Sequence, residues 1–109
     1  MNDLAFKHME RLTFAARRLT RDIAAMRNEL GLINLYPELY AAREARLSAV
    51  TRARCAFNRW LRANPNGSTA QVKKALVALK IPQTRDELTE AIRSIERLAI
   101  AEVREQRQK

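Results

Sequence analysis

The first thirty residues carry small or apolar side chains at Ala5, Met9, Leu12, Ala16, Leu19, Ile23, Met26 and Leu30, in unbroken steps of four and three. Such a stripe marks the inward edge of a helix of heptad type. Arg11, Arg17, Arg18, Arg21, Asp22, Arg27 and Asn28 make its polar face, and Gly31 offers the positive-φ residue that commonly follows a helix end. The pattern predicts a first helix over residues 3–30, with His8 solvated on it.

Pro37 suits the opening turn of a second helix, because its missing N–H would have no partner there. No breaker follows until Asn64-Pro65-Asn66-Gly67. A helix over residues 37–63 is roughly 39 Å long at 1.5 Å per residue. In projection Leu39, Val50, Ala53, Phe57, Trp60 and Leu61 share one side, while Glu44, Ser48, Arg52, Arg59 and Arg62 cluster opposite. Arg46 falls among the apolar positions, where it either reaches solvent along its alkyl stem or marks an interface.

Two capping boxes announce two further helices: Ser68-Thr69-Ala70-Gln71 and Thr84-Arg85-Asp86-Glu87. The third, over residues 69–80, buries Val72, Ala75, Leu76 and Leu79 and stops before Pro82, which disfavours the α conformation in the residue preceding it. The fourth, over residues 85–106, buries Leu88, Ile92, Ile95, Leu98 or Ala99, and Val103, and Arg104 to Lys109 reads as a frayed tail. None of these helices can bury its stripe alone. The expected fold is therefore all-α, a compact bundle of about four helices, three long and one short, in a single domain over residues 1–109. The heptad stripe of the first helix leaves a homo-oligomer open.

Charge changes this picture. The 109 residues hold 21 Lys and Arg against 12 Asp and Glu, a net charge of +9. Residues 1–44 and 86–109 are each nearly balanced, so the excess lies between them: Arg46, Arg52, Arg54, Arg59, Arg62, Lys73, Lys74, Lys80 and Arg85, with no acidic residue from Ala45 to Arg85. A one-signed segment of this kind attracts polyanions, and nucleic acid is the commonest. These nine residues are the candidate contacts to nucleic acid, a nucleoprotein or an acidic protein partner.

Candidate chemistry subtracts more than it adds. Cys55 is the only cysteine and His8 the only histidine, and no phosphate loop, dinucleotide fingerprint, zinc-protease helix or EF-hand loop is present. The expectation is a non-enzymatic protein with no cofactor and no metal. Lone cysteine usage points to a reducing, cytoplasmic setting, with no membrane span and no leader-like apolar run at residues 1–8.

A helix-turn-helix over Val72–Leu79, Lys80-Ile81-Pro82 and Arg85–Ile95 has the right lengths, but its turn-glycine position falls on Leu79 and its β-branched core position on Arg85. Asp86, Glu87, Glu90 and Glu96 would face phosphates on the recognition helix. A better surface joins Arg52, Arg59 and Arg62 to the amide-rich loop Asn64–Thr69, with the N–H groups of Thr69 to Gln71 as an anion site at a helix start. Trp60 belongs by its helical angle to the core rather than to a base.

Leu30-Gly31-Leu32, then Ala56-Phe57-Asn58-Arg59-Trp60, then Ser68 through Leu76 follow an order of motifs that resembles the death-domain superfamily over residues 20–95. The resemblance implies a six-helix assembly module that oligomerises through charged surfaces in signalling complexes, with Arg52, Arg59, Arg62, Lys73 and Lys74 as contacts. The residues themselves favour an accessory protein docking on nucleic acid or a nucleoprotein through phosphate contacts. The assembly module, meeting acidic protein partners, is the alternative.

Overall fold

A computed structural model describes residues 2–29 and 31–108; Leu30, the last position of the first stripe, lies outside them. The described residues form five helices and no strand: α1 (Asp3–Asn28), α2 (Leu32–Leu35), α3 (Pro37–Ala63), α4 (Thr69–Ala78) and α5 (Arg85–Arg107). The chain is all-α. None of these helices is long and apolar enough to cross a membrane.

The helix starts follow local chemistry. Asn2 Oδ1 accepts from the Leu4 N–H at 2.9 Å and caps α1, while Asn2 Nδ2 donates to Thr69 Oγ1 at 3.1 Å, tying the start of α1 to the start of α4. Ser68 and Gln71 form both halves of a capping box. At α5 only half of the expected box forms: Thr84 Oγ1 accepts from the Glu87 N–H, but the Glu87 carboxylate accepts from the Gln83 N–H instead of returning to Thr84. Gly31 sits at φ 83° and opens α2, a four-residue helix too short to leave a period in the sequence.

α4 ends two residues before the expected stop, and Pro82 is not the whole reason. Lys80 adopts a left-handed φ of 58°, its N–H donates to the Val77 carbonyl at 3.0 Å, and the Ile81 N–H reaches back to the Leu76 carbonyl at 2.9 Å. These two bonds satisfy carbonyls that a helix end leaves unpaired. Ile81 then folds onto Leu76 in the core.

α3 is the middle of the fold. α1 and α5 each run antiparallel along it, and among the described residues they make no contact with each other. Arg27 of α1 pairs with Glu44 near the start of α3, and Glu38 at that same end receives Arg104 and Arg107 from the end of α5. The expected frayed tail is therefore helical to Arg107, held by two arginines on one carboxylate; Lys109 lies outside the described residues.

The main core gathers at the other end of α3, where Ala5, Phe57, Val72, Leu76 and Ile81 are buried together, with Trp60 stacked on Phe57 at 6.3 Å between ring centroids. A second row, Ala16, Leu19, Ile23 and Met26, continues along α1. The result is elongated, 50 × 26 × 23 Å, with a radius of gyration of 16.2 Å. A compact domain of this length would have about 13 Å. The expected bundle of three long helices and one short is present, with the four-residue α2 in addition, but it is elongated rather than compact, a layer of α1, α3 and α5 capped at one end by α4.

The open layer explains the burial errors of the projection. α5 covers only one side of α3, so of its expected core only Ala99, from the pair Leu98 or Ala99, is fully buried, Ile92, Ile95 and Val103 are half-buried, and Leu88 is exposed. His8, expected in solvent, is 6% exposed. It lies between Ala5 and Leu12 in the arc that α1 turns inward. Residues 37–63 form one unbroken helix, and the described residues form five helices, where the death-domain resemblance implies six.

Candidate nucleic-acid interface

α3 is covered on two sides, which leaves one long face open. Ser48, Arg52, Cys55, Arg59 and Arg62 occupy it, and all are exposed. Arg52 and Arg59 are about 10.5 Å apart along the helix axis, and Arg59 and Arg62 about 4.5 Å. None of the three arginines forms an ion pair among the described residues. Arg52 also lines an open groove of ≈ 500 Å³ between α1 and α3, with Thr20, Ser48 and Thr51. Arg62 borders a shallow hollow of ≈ 240 Å³ with Asn2, Asn58 and Asn64.

The nine candidate residues do not share one surface. Arg46 lies at the edge of the α3–α5 seam, one-third exposed and 3.8 Å from the Glu96 carboxylate. Arg54 is exposed but turned about 160° around α3 from Arg52. Lys73 and Lys74 are both exposed on α4, which packs on Phe57 through Val72 and Leu76; Lys74 is opposite that side and Lys73 flanks it. Phe57 is itself turned about 150° from Arg52 and Arg59, so α4 packs on the side of α3 away from those two arginines, while its Val72 borders the hollow that Arg62 lines. Lys80 is in the turn after α4, and Arg85 opens α5 beside Asp86 and Glu87.

Two other expectations change. Ser68 Oγ already accepts the Gln71 N–H, and the Val72 N–H donates to the Ser68 carbonyl, so the anion site at the start of α4 has lost a donor to its own cap. Trp60 is half-buried against Phe57, with the Gly67 backbone so close that a Cβ there would stand 3.1 Å from its ring.

α1 carries a second cationic surface. Residues 1–44 nearly balance, yet α1 sorts its charges by angle. Lys7, Arg11, Arg17, Arg18 and Arg21 fall within an arc of about 120° on the side away from the core stripe. All five are exposed, and none forms an ion pair among the described residues. Phe14 stands at the centre of the same arc, 69% exposed, and the exposed Glu10 lies inside it, between Arg17 and Arg21 in angle, the one acidic member from Lys7 to Arg21. The signal was available in the helical projection of residues 7–21. Arg27, by contrast, is spoken for. Its guanidinium donates to Tyr40 Oη at 2.7 Å and to Glu44 at 2.9 Å, and those hydrogen bonds, Tyr40 first, raise its pKa further.

Comparison with protein-family models, curated proteins and solved structures finds no match to this chain.

Proposed function

We propose that the protein is a non-enzymatic, intracellular accessory protein that docks on nucleic acid or a nucleoprotein complex through phosphate contacts. The observation that carries the reading is the open face of α3: Arg52, Arg59 and Arg62, exposed, without an ion pair among the described residues, and fixed along one rigid helix. Guanidinium groups bind phosphate oxygens in forked geometry, and a rigid helix spends little entropy in presenting them. Acidic residues near this face would oppose such binding, and the nearest on α3, Glu44, is held by Arg27. The contacts are to backbone, so the reading entails little sequence preference.

The test is a salt titration of binding to a labelled duplex. Three phosphate contacts correspond to a slope of log K against log salt of about −2.7. Arg52→Glu, Arg59→Glu and Arg62→Glu together are expected to abolish that contribution. No binding to duplex or single strand at the lowest salt overturns the reading, as does tighter binding to poly-glutamate than to nucleic acid.

A further inference from the structure

We infer that the outer face of α1 is a separate binding surface for unpaired nucleic-acid strand, with Phe14 as the platform on which a base stacks and Lys7, Arg11, Arg17, Arg18 and Arg21 as its phosphate contacts. It rests on the nucleic-acid reading above but uses a different helix. The ridge from Lys7 to Arg21 is about 21 Å long, and Phe14 is its midpoint. Arg11 precedes Phe14 by three residues and Arg17 and Arg18 follow it by three and four, so the ring has guanidinium groups one turn away on both sides. Four of the five cations are arginines, which grip phosphate and lie flat on bases as lysine does not.

The placement of Phe14 selects the partner. The apolar stripe of α1, Ala16, Leu19, Ile23 and Met26, is already covered. A bilayer would therefore meet Phe14 and, about 80° round the helix and two turns away, Phe6, each isolated among charges, where a surface-bound helix needs a continuous apolar face. A duplex keeps its base faces stacked and offers Phe14 nothing without unstacking. A single strand offers both groups at once, phosphates for the ridge and an open base face for the ring.

The experiment measures anisotropy of a labelled oligo-dT or oligo-U against a hairpin duplex of equal charge, for wild type, Phe14→Ala, Phe14→Trp and Arg17→Glu/Arg18→Glu. These side chains are exposed, and circular dichroism verifies that each variant keeps its helices. Wild type is expected to prefer the single strand and to show a salt slope of about −3.5 for five contacts. Phe14→Ala is expected to lose at least about fivefold on the single strand and nothing on the hairpin. Phe14→Trp is expected to retain affinity and to add, beside the half-buried Trp60 emission of wild type, an exposed-tryptophan component that the oligomer quenches. Unchanged affinity in Phe14→Ala, or a wild type that binds hairpin as tightly as single strand, overturns the inference and leaves the α3 reading standing. Binding to phosphatidylserine vesicles with none to either oligomer overturns both.

Discussion

Arg46 on α3 and Glu96 on α5 face each other at 3.8 Å across the seam between their helices, each side chain about one-third exposed. An ion pair so hydrated contributes on the order of 0–1 kcal/mol. Reversing one partner sets like charges opposite and removes that small gain. Arg46→Glu is expected to lower stability by about 1 kcal/mol in urea denaturation, and Arg46→Glu with Glu96→Arg to recover most of it. Arg46→Gln is expected to leave nucleic-acid affinity within about twofold, unlike Arg52→Gln. Zero coupling in the double-mutant cycle would show that the pair does not set the α3–α5 register.

The core at the α4 end and the apolar edge of α5 should respond very differently. Phe57 and Leu76 are 0% exposed, whereas Leu98 is 69% exposed. Phe57→Ala leaves a cavity among Ala5, Val72 and Ile81 and costs about 3–5 kcal/mol; Leu76→Ala costs about 2–5 kcal/mol and loosens α4. Leu98→Ala is expected within about 0.5 kcal/mol of wild type. Chemical denaturation of the three variants gives the comparison. A Leu98→Ala loss as large as that of Leu76→Ala would mean that α5 is covered by something other than α3.

Lys80 carries a left-handed backbone without being glycine. A Cβ in that region strains against the neighbouring carbonyl, a cost of about 1–2 kcal/mol that glycine avoids, partly offset by the greater freedom glycine has when unfolded. Lys80→Gly is expected to raise stability by about 0.5–1 kcal/mol while keeping both bonds that close α4. Lys80→Ala is the control, since it removes the same charge but keeps the strain. An equal gain from alanine would assign the effect to charge relief.

What was legible in the sequence was whatever one helix decides by itself. Ser68 with Gln71 and Pro37 mark their helix starts within a residue, because caps and proline act on neighbouring backbone. The exposed face of α3 was legible too, since Glu44, Ser48, Arg52, Arg59 and Arg62 have no apolar rival for solvent. Relations between helices were not. Leu88 reads as core by period, yet α5 packs on one side only, and nothing in residues 85–107 says how many neighbours they have. Glu87 completes a capping box on paper, but the Gln83 N–H competes for its carboxylate. The convergence of the basic residues is a fact about the order of layers, so Arg52 and Lys73 could be counted together but not placed together.

His8 gives a pH dependence whose sign follows from its surroundings. Burial holds its imidazole below the usual 6.5, and Arg11 and Lys7 lower it further. The unfolded chain then binds the proton more tightly than the folded one, so stability is fully present above pH ~6.5 and is lost as pH falls from there through the lower folded value. His8→Gln has no such proton to bind. Melting temperatures of wild type and His8→Gln, compared from about pH 7.5 to about pH 5, are expected to shift against wild type as the solution becomes more acid. Salt separates the causes, because screening weakens Arg11 and Lys7 but not desolvation. Most of the shift should survive added salt, since burial is the larger cause. A wild-type-minus-variant difference that stays constant with pH would mean that folding leaves the proton affinity of His8 unchanged, and with it the claim that α1 turns this residue inward.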